Sequence, residues 1–152
     1  MSICLIDTSV FCNIVDVPGL NQQREEVLSK LKELALDKTT LLLPLVAILE
    51  TGNHIGHVPD GDRRRQSSQR FVRQVEAALD GTAPWHPTPF VEPNELRGWL
   101  AEFPDHAMRG SGLGDFSIIK EWERQCQLNP HRRVFIWTFD EHLSAYDSGV
   151  RA

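Results

Sequence analysis

Cysteine is scarce in this sequence, and the few residues present form no pairing pattern. The chain of 152 residues contains three cysteines, Cys4, Cys12 and Cys126, and none of them belongs to a Cys-x-x-Cys pair. An odd number without such a pair argues against a disulfide framework and against a structural zinc site. We therefore expect the cysteines to be free, with core packing as the main role of Cys4 and Cys126.

Long hydrophobic runs are also missing. The longest apolar stretch, residues 41–49, contains Pro44, whereas a membrane-spanning helix needs about 20 apolar residues. The first apolar stretch is interrupted by Asp7, and no basic segment precedes it. These features predict neither a membrane span nor a signal peptide, and we expect the chain to work in the cytoplasm.

The sequence has no excess of positive charge. It contains 16 Lys and Arg against 21 Asp and Glu, a formal net charge of −5. This balance argues against a general electrostatic binder of nucleic acid, which usually carries a basic excess. It leaves open an enzyme that cuts nucleic acid with metal ions held by carboxylates, because the ions supply positive charge that the composition does not count. With 41% hydrophobic and 24% charged residues, we expect a single domain over residues 1–152.

Short apolar runs alternate with helical patterns along the chain. Residues 3–6, 39–43 and 134–137 are typical of buried parallel strands, and a short strand near Trp85 or Phe90 is expected inside the irregular segment 81–93. Helices are predicted over residues 22–36, 45–54, 63–79, 94–103 and 141–146, with two more opening at Ser9 (as the N-cap) and at Asp115. Residues 104–114 are expected to form a loop. This alternation predicts an α/β three-layer sandwich with a central, mostly parallel sheet.

The helical spacing also predicts which side chains face the core. In the helix over 45–54 they include Val46, Ile48 and Leu49, and in the helix over 63–79 they are Phe71, Val72, Val75 and Leu79. In the helix over 94–103 they are Leu96, Trp99 and Leu100. Trp85, in the proline-rich segment, is the tryptophan that we expect to be available for base stacking.

Four carboxylates fall near the same edge of this predicted sheet. Asp7 ends the first strand, and Asp140 follows the last strand closely. Glu50 lies in the helix after the second strand, and Asp115 opens the helix that leads to the last strand. Because functional sites of open parallel sheets lie at the carboxyl ends of the strands, we expect these four side chains to line one pocket.

Each of the four acids also has an ordinary structural explanation. Asp7 and Asp140 could cap helices or form turns, and Asp115 is favoured at a helix start by the helix dipole. Glu50 is the most informative, because it sits beside core positions in an otherwise apolar stretch. Four ionised carboxylates in one pocket repel one another, and a bound dication removes that repulsion. Oxygen ligands without Cys or paired His favour Mg²⁺ or Mn²⁺ over zinc.

Four segments together resemble the motifs of PIN-domain nucleases. They are residues 3–10, ICLIDTSV; 43–50, LPLVAILE; 112–119, GLGDFSII; and 135–140, FIWTFD. The resemblance implies a PIN-like fold and a Mg²⁺- or Mn²⁺-dependent endoribonuclease that hydrolyses RNA phosphodiesters and leaves 5′-phosphate and 3′-hydroxyl ends. It implies the metal-binding and catalytic carboxylates Asp7, Glu50, Asp115 and Asp140, with Ser9 and Thr138 as supporting hydroxyls.

The same resemblance implies partners. Many members of this family are the toxin of a toxin–antitoxin pair, and the antitoxin commonly blocks the acidic pocket with a basic residue. Such small domains often form homodimers, although no apolar stripe in this sequence identifies an interface. RNA is the implied substrate.

A local group of arginines stands out on the acidic chain. It comprises Arg63, Arg64, Arg65, Arg70 and Arg73, and Arg109 lies close to the predicted pocket. We consider two interpretations: a track for the phosphate backbone of RNA, or a solvated helix face.

Two other functions remain open from the sequence. The first is a non-catalytic PIN-fold module whose acidic pocket binds an Arg or Lys of a partner protein. The second is a phosphatase similar to the haloacid dehalogenase superfamily, which also places an Asp after its first strand. That chemistry calls for a second Asp two residues later, and this chain has Ser9 there.

Overall fold

A four-stranded parallel sheet forms the centre of the computed structural model, which describes residues 1–150. Its strands are β1, Ile3–Ile6; β2, Thr40–Leu43; β3, Trp85–Pro87; and β4, Val134–Trp137. Their order across the sheet is β3-β2-β1-β4, and every pair is parallel. The structure therefore confirms the predicted α/β class and parallel sheet, including a short strand at Trp85.

Helices connect the strands and cover both faces of the sheet. They are α1, Thr8–Ile14; α2, Arg24–Leu36; α3, Leu45–Gly56; α4, Gly61–Leu79; α5, Pro93–Met108; α6, Leu113–Leu128; and α7, Glu141–Ser144, followed by a 3₁₀ turn at Ser148–Val150. No helix in the described part of the chain is both long and apolar enough to cross a membrane.

The core is divided by the sheet into two clusters. Cys4 and Ile6 of β1 belong to the larger cluster, which includes residues of α1, α2 and α3, whereas Ile3 and Leu5 belong to a second cluster with α6. Successive side chains of a strand point to opposite faces, so β1 is buried on both sides. This arrangement of helix layer, sheet and helix layer confirms the three-layer sandwich. Cys4, Cys12 and Cys126 are free.

Four predicted helix starts are wrong by two residues. Those of α2 and α4 lie at Arg24 and Gly61 instead of residues 22 and 63, because no side-chain signal marks the first of them and Asp60 caps the second. Asp7, rather than Ser9, is the N-cap of α1, because the side chain of Ser9 is used in tertiary hydrogen bonds instead. The helix predicted to open at Asp115 begins at Leu113, with Gly112 as its N-cap. Asp115 therefore lies within the first turn of α6. At the other end of the chain, α7 stops at Ser144, before the predicted end at residue 146.

The loop predicted for residues 104–114 is wrong over its first part, because α5 continues through Pro104 to Met108. Proline inside a helix removes one backbone hydrogen bond, and this loss costs least where the freed carbonyl can reach water. No residue of α5 is buried, which is why the helix tolerates Pro104.

Several apolar side chains predicted to face the core are exposed. Leu49 of α3 is 58% exposed, and Val72 and Leu79 of α4 and Leu96 and Leu100 of α5 are exposed as well. A helical stripe shows that one face is apolar, but it does not show that another element covers that face. Trp85, in contrast, is more buried than predicted. It is 4% exposed and packs edge-on against Phe11, so it is not free for base stacking.

Candidate metal centre

Asp7 and Asp140 reach the same edge of the sheet because β1 and β4 are parallel neighbours in register. Ile6 pairs with Trp137 at the carboxyl ends of the two strands, and the backbone N–H of Asp7 donates to the carbonyl of Trp137 at 3.0 Å. The chain then leaves β1 into α1 and leaves β4 towards α7. The predicted convergence of these two segments follows directly from the sheet register.

The carboxylate of Asp7 is held by the two predicted supporting hydroxyls. Oδ2 of Asp7 accepts hydrogen bonds from Oγ of Ser9 at 3.0 Å and from Oγ1 of Thr138 at 2.7 Å. Oγ of Ser9 in turn accepts from the backbone N–H of Phe139 at 3.1 Å, and Asp7 is 8% exposed. Both hydroxyls use the same oxygen, so Oδ1 of Asp7 has no hydrogen bond within residues 1–150.

Glu50 lies on α3 and is held by a residue that the sequence did not single out. Its Oε2 accepts a hydrogen bond from Oγ1 of Thr8 at 2.8 Å. Its other carboxylate oxygen packs against the backbone of Gly114, where a Cβ atom would collide with Oε1 of Glu50 and touch Val46. The only sequence signal for the contact of Thr8 with Glu50 is the position of Thr8 next to Asp7. The only signal for the contact of Gly114 with Glu50 is the position of this glycine beside Asp115.

Asp115 is electrostatically coupled to the other three acids. Burial raises the pKa of the Asp115 carboxyl above its usual value. The negative charges of Asp140, Asp7 and Glu50 raise that pKa further, and His106 acts in the opposite direction. Such mutual repulsion is expected of carboxylates that share one pocket.

Asp140 has a capping role as well as a place at the site. It is the N-cap of α7, and its Oδ1 accepts from the backbone N–H of His142 at 2.9 Å. Its own N–H donates to Oγ1 of Thr138 at 2.9 Å. Asp140 therefore caps a helix, as its ordinary structural explanation holds, and it also lies beside the other acids as predicted.

All four acids line one cavity of about 310 Å³. The remaining lining is polar or small, apart from two apolar side chains; it consists of Thr8, Ser9, Cys12, Asn13, Leu20, Gln22, Gln23, His54 and Phe139. No Lys or Arg of residues 1–150 is among the lining residues. The four acids line the cavity but do not converge on one metal position. Among the described residues, no three His, Cys, Asp or Glu side chains lie close enough together to form a metal-binding group.

The arginines proposed as a phosphate track do not line the acidic cavity. Arg63 and Arg70 line a separate polar cavity beside Asp16, and Nη1 of Arg64 donates to the carbonyl of Val58 at 2.9 Å. The others, Arg65, Arg73 and Arg109, are exposed.

Arg70 joins α4 to the end of α1, and we predict that its main role is structural. It donates to the carbonyl of Asp16 at 2.7 Å and to that of Val15 at 3.2 Å. Hydrogen bonds from a charged donor contribute about 1.5–3 kcal/mol, so Arg70→Met should lower the free energy of unfolding in urea by about that amount. The exposed Arg73→Met is the matched control and should change it by less than about 0.5 kcal/mol. Equal effects of the two changes would contradict this role.

Comparison with protein-family models, with curated proteins and with solved structures gives no match to this chain.

Proposed function

We propose that this chain is a metal-dependent endoribonuclease of the PIN-domain type that hydrolyses RNA phosphodiesters with Mg²⁺ or Mn²⁺. One observation carries the proposal: four carboxylates from four separate segments, Asp7, Glu50, Asp115 and Asp140, line a single cavity at the carboxyl edge of a parallel sheet. Capping accounts for Asp140, but no capping role explains why all four acids share one cavity.

The donor set suits a hard dication. All four acids offer oxygen ligands, and their mutual repulsion is not offset by any Lys or Arg in the cavity lining of the described chain. Mg²⁺ commonly keeps several waters and binds one or two carboxylates directly, so a preformed cluster of three ligands is not required. A bound ion would polarise the phosphodiester, lower the pKa of a bound water and stabilise the leaving oxygen.

The chain's own residues have separable roles in this proposal. Asp7, anchored through one oxygen by Ser9 and Thr138, offers its other oxygen to the ion. Asp115, whose pKa is raised by burial and by its acidic neighbours, would be held in its charged form by a nearby positive charge. Glu50 binds the ion or orients the attacking water, in the position that Thr8 and Gly114 define.

The resemblance extends the proposal to a biological setting. We propose that the chain is the toxin of a toxin–antitoxin pair in the cytoplasm, and that the antitoxin places an Arg or Lys side chain in the acidic cavity. The absence of any lining cation in the described residues supports such a partner.

The direct test uses a 5′-labelled single-stranded RNA and the purified chain. Cleavage should require Mn²⁺ or Mg²⁺, should stop in EDTA, and should leave 5′-phosphate and 3′-hydroxyl ends. Products with 2′,3′-cyclic phosphate ends, or equal cleavage in EDTA, would exclude the proposed mechanism.

Gly114→Ala tests the position of Glu50. The new methyl group would displace the carboxylate of Glu50, and changes that misplace a ligand commonly reduce metal affinity or activity 10- to 100-fold. Stability should change by less than about 1 kcal/mol, because the flexible carboxylate can move aside. Gly98→Ala is the control, since a Cβ there meets open space. A Gly114→Ala variant with full cleavage would show that Glu50 has no fixed role.

A further inference from the structure

A second cavity lies on the other side of Gly114 from the acidic one. It has a volume of about 300 Å³, and most of its lining is apolar; the lining includes Val46, Leu49, Val91, Leu96, Trp99 and Leu113. Leu49 and Gly114 line this apolar cleft, whereas their immediate neighbours Glu50 and Asp115 line the acidic cavity. The two cavities therefore adjoin at residues 49–50 and 114–115.

A buried carboxylate lies in the wall of the apolar cleft. Glu121 of α6 is 7% exposed, and its Oε1 accepts a hydrogen bond from Nε2 of Gln125 at 2.9 Å. Within residues 1–150 its other oxygen accepts no hydrogen bond, and no Lys or Arg lies within ion-pair distance. Burial raises the pKa of this carboxyl. Oε2 accepts no hydrogen bond from the described residues and is not a fully buried atom, so it can accept an N–H group from a ligand in the cleft.

Two other residues complete the recognition chemistry of the cleft. Trp99 of α5 is partly buried in the lining, where it offers an aromatic surface for stacking. Arg124 also lines the cleft, one helical turn from Glu121, and its guanidinium supplies hydrogen-bond donors. A planar ligand with adjacent N–H donors, an acceptor and an aromatic face matches the chemistry of these three side chains.

We propose that the apolar cleft binds a guanine base of single-stranded RNA beside the bond that is cut. Guanine has two adjacent donors, N1–H and N2–H₂, of which one pairs with Oε2 of Glu121 and the other with the second lone pair of Oε1, beside the bond from Gln125. Its O6 and N7 acceptors suit Arg124, and its ring stacks on Trp99. This inference rests on the proposed function, because it assigns the base preference of that nuclease.

The other bases fit the carboxylate less well. Uracil offers one N–H between two carbonyl oxygens, which the carboxylate of Glu121 repels. Adenine and cytosine each offer an amino group beside an acceptor nitrogen, so only one hydrogen bond forms. Inosine, which is guanosine without the 2-amino group, isolates the contribution of that donor.

The test measures binding separately from cleavage. Fluorescein-labelled heptamers of uridine carry G, inosine, A or U at the centre, and their affinities for the full chain are measured by anisotropy. Ca²⁺ replaces Mn²⁺ to neutralise the acidic cavity, and a gel verifies that each RNA stays intact. The central G should tighten binding about tenfold over U, within the discrimination that one bidentate pair provides, and inosine should lose most of that gain.

Two variants locate the effect. Glu121→Gln keeps the size of the side chain and should reduce the preference for G over U to less than about twofold, while Glu123→Gln on the exposed side of the same helix should leave it unchanged. Trp99→Leu should weaken binding of every heptamer by about fivefold or more, since stacking tolerates any base. Melting curves verify that both variants are folded.

The outcomes separate this inference from the proposed function. Equal binding of all four heptamers, no binding of any, or a G preference that survives Glu121→Gln overturns the guanine site. Binding of an apolar peptide in place of RNA overturns it too. If G is preferred but no metal supports cleavage, the nuclease proposal fails while the base site stands.

Discussion

Asp115→Asn should reduce metal-dependent cleavage of single-stranded RNA by at least about 100-fold while leaving the fold intact. Loss of a residue that only supports a metal ligand commonly costs 10- to 100-fold, and loss of a ligand itself should cost no less. Asp115 lies in the first turn of α6, where burial and its acidic neighbours raise its pKa. The amide keeps the shape of the side chain and removes the charge that would bind the ion.

Asp105→Asn is the matched control for this change. Asp105 is exposed on α5 and lies outside both cavities, so its replacement should leave the rate unchanged. Initial rates on a labelled RNA, measured with Mn²⁺ in excess, compare the two variants. Full activity of Asp115→Asn would remove this residue from the metal site. Tight partner binding by a wild-type chain that shows no metal-dependent turnover would instead favour the non-catalytic interaction module.

Mn²⁺ should stabilise the chain against thermal unfolding. A ligand at 100 times its dissociation constant adds about 2.7 kcal/mol when it binds only the folded state, which corresponds to a rise of about 5–11 °C in Tm for a domain of this size. Asp7→Asn should remove most of that rise, because it removes the charge of the carboxylate that Ser9 and Thr138 hold in place. Differential scanning calorimetry with Mn²⁺ or with EDTA measures the difference. No rise at millimolar Mn²⁺ would contradict a metal centre here.

The pH dependence of this stabilisation has a defined sign. Burial, and then the neighbouring acids, hold the pKa of Asp115 above its value in the unfolded chain. Between the pKa of Asp115 in the unfolded chain and its higher pKa in the folded chain, the metal-free folded state retains a proton that the unfolded state has lost. The free energy of unfolding therefore falls as pH rises through this range. A bound dication removes this loss. The difference in Tm between Mn²⁺ and EDTA should therefore widen from about pH 4 towards pH 7, and a difference that narrows would contradict the proposal.

The strands and the first-strand acid were predictable because their signals are local. Residues 3–6 are all apolar, so a strand there must be buried on both faces. This strand ends at Asp7, where α1 starts. The same reasoning predicted β4 and the position of Asp140. Since parallel strands place their carboxyl ends at one edge, the convergence of these two acids needed no further information.

Helix bounds and helix burial were predicted less well, because they depend on what surrounds each helix. Pro104 suggests a stop, yet α5 continues through it where the helix is exposed to water. Leu49 and Leu96 follow an apolar stripe, yet both are exposed. Periodicity describes one helix at a time, whereas burial requires a second surface.

The sequence by itself determined the α/β class, the parallel sheet and the four acids of the candidate site, because strand burial and chain direction are written into short apolar runs. Only the tertiary structure decided that Thr8 and Gly114 position Glu50, that Arg70 binds backbone carbonyls rather than lining the acidic cavity, and that Glu121 lies in an apolar cleft beside the site. Each of these contacts joins segments far apart in the chain, and their geometry follows from packing that no local pattern encodes.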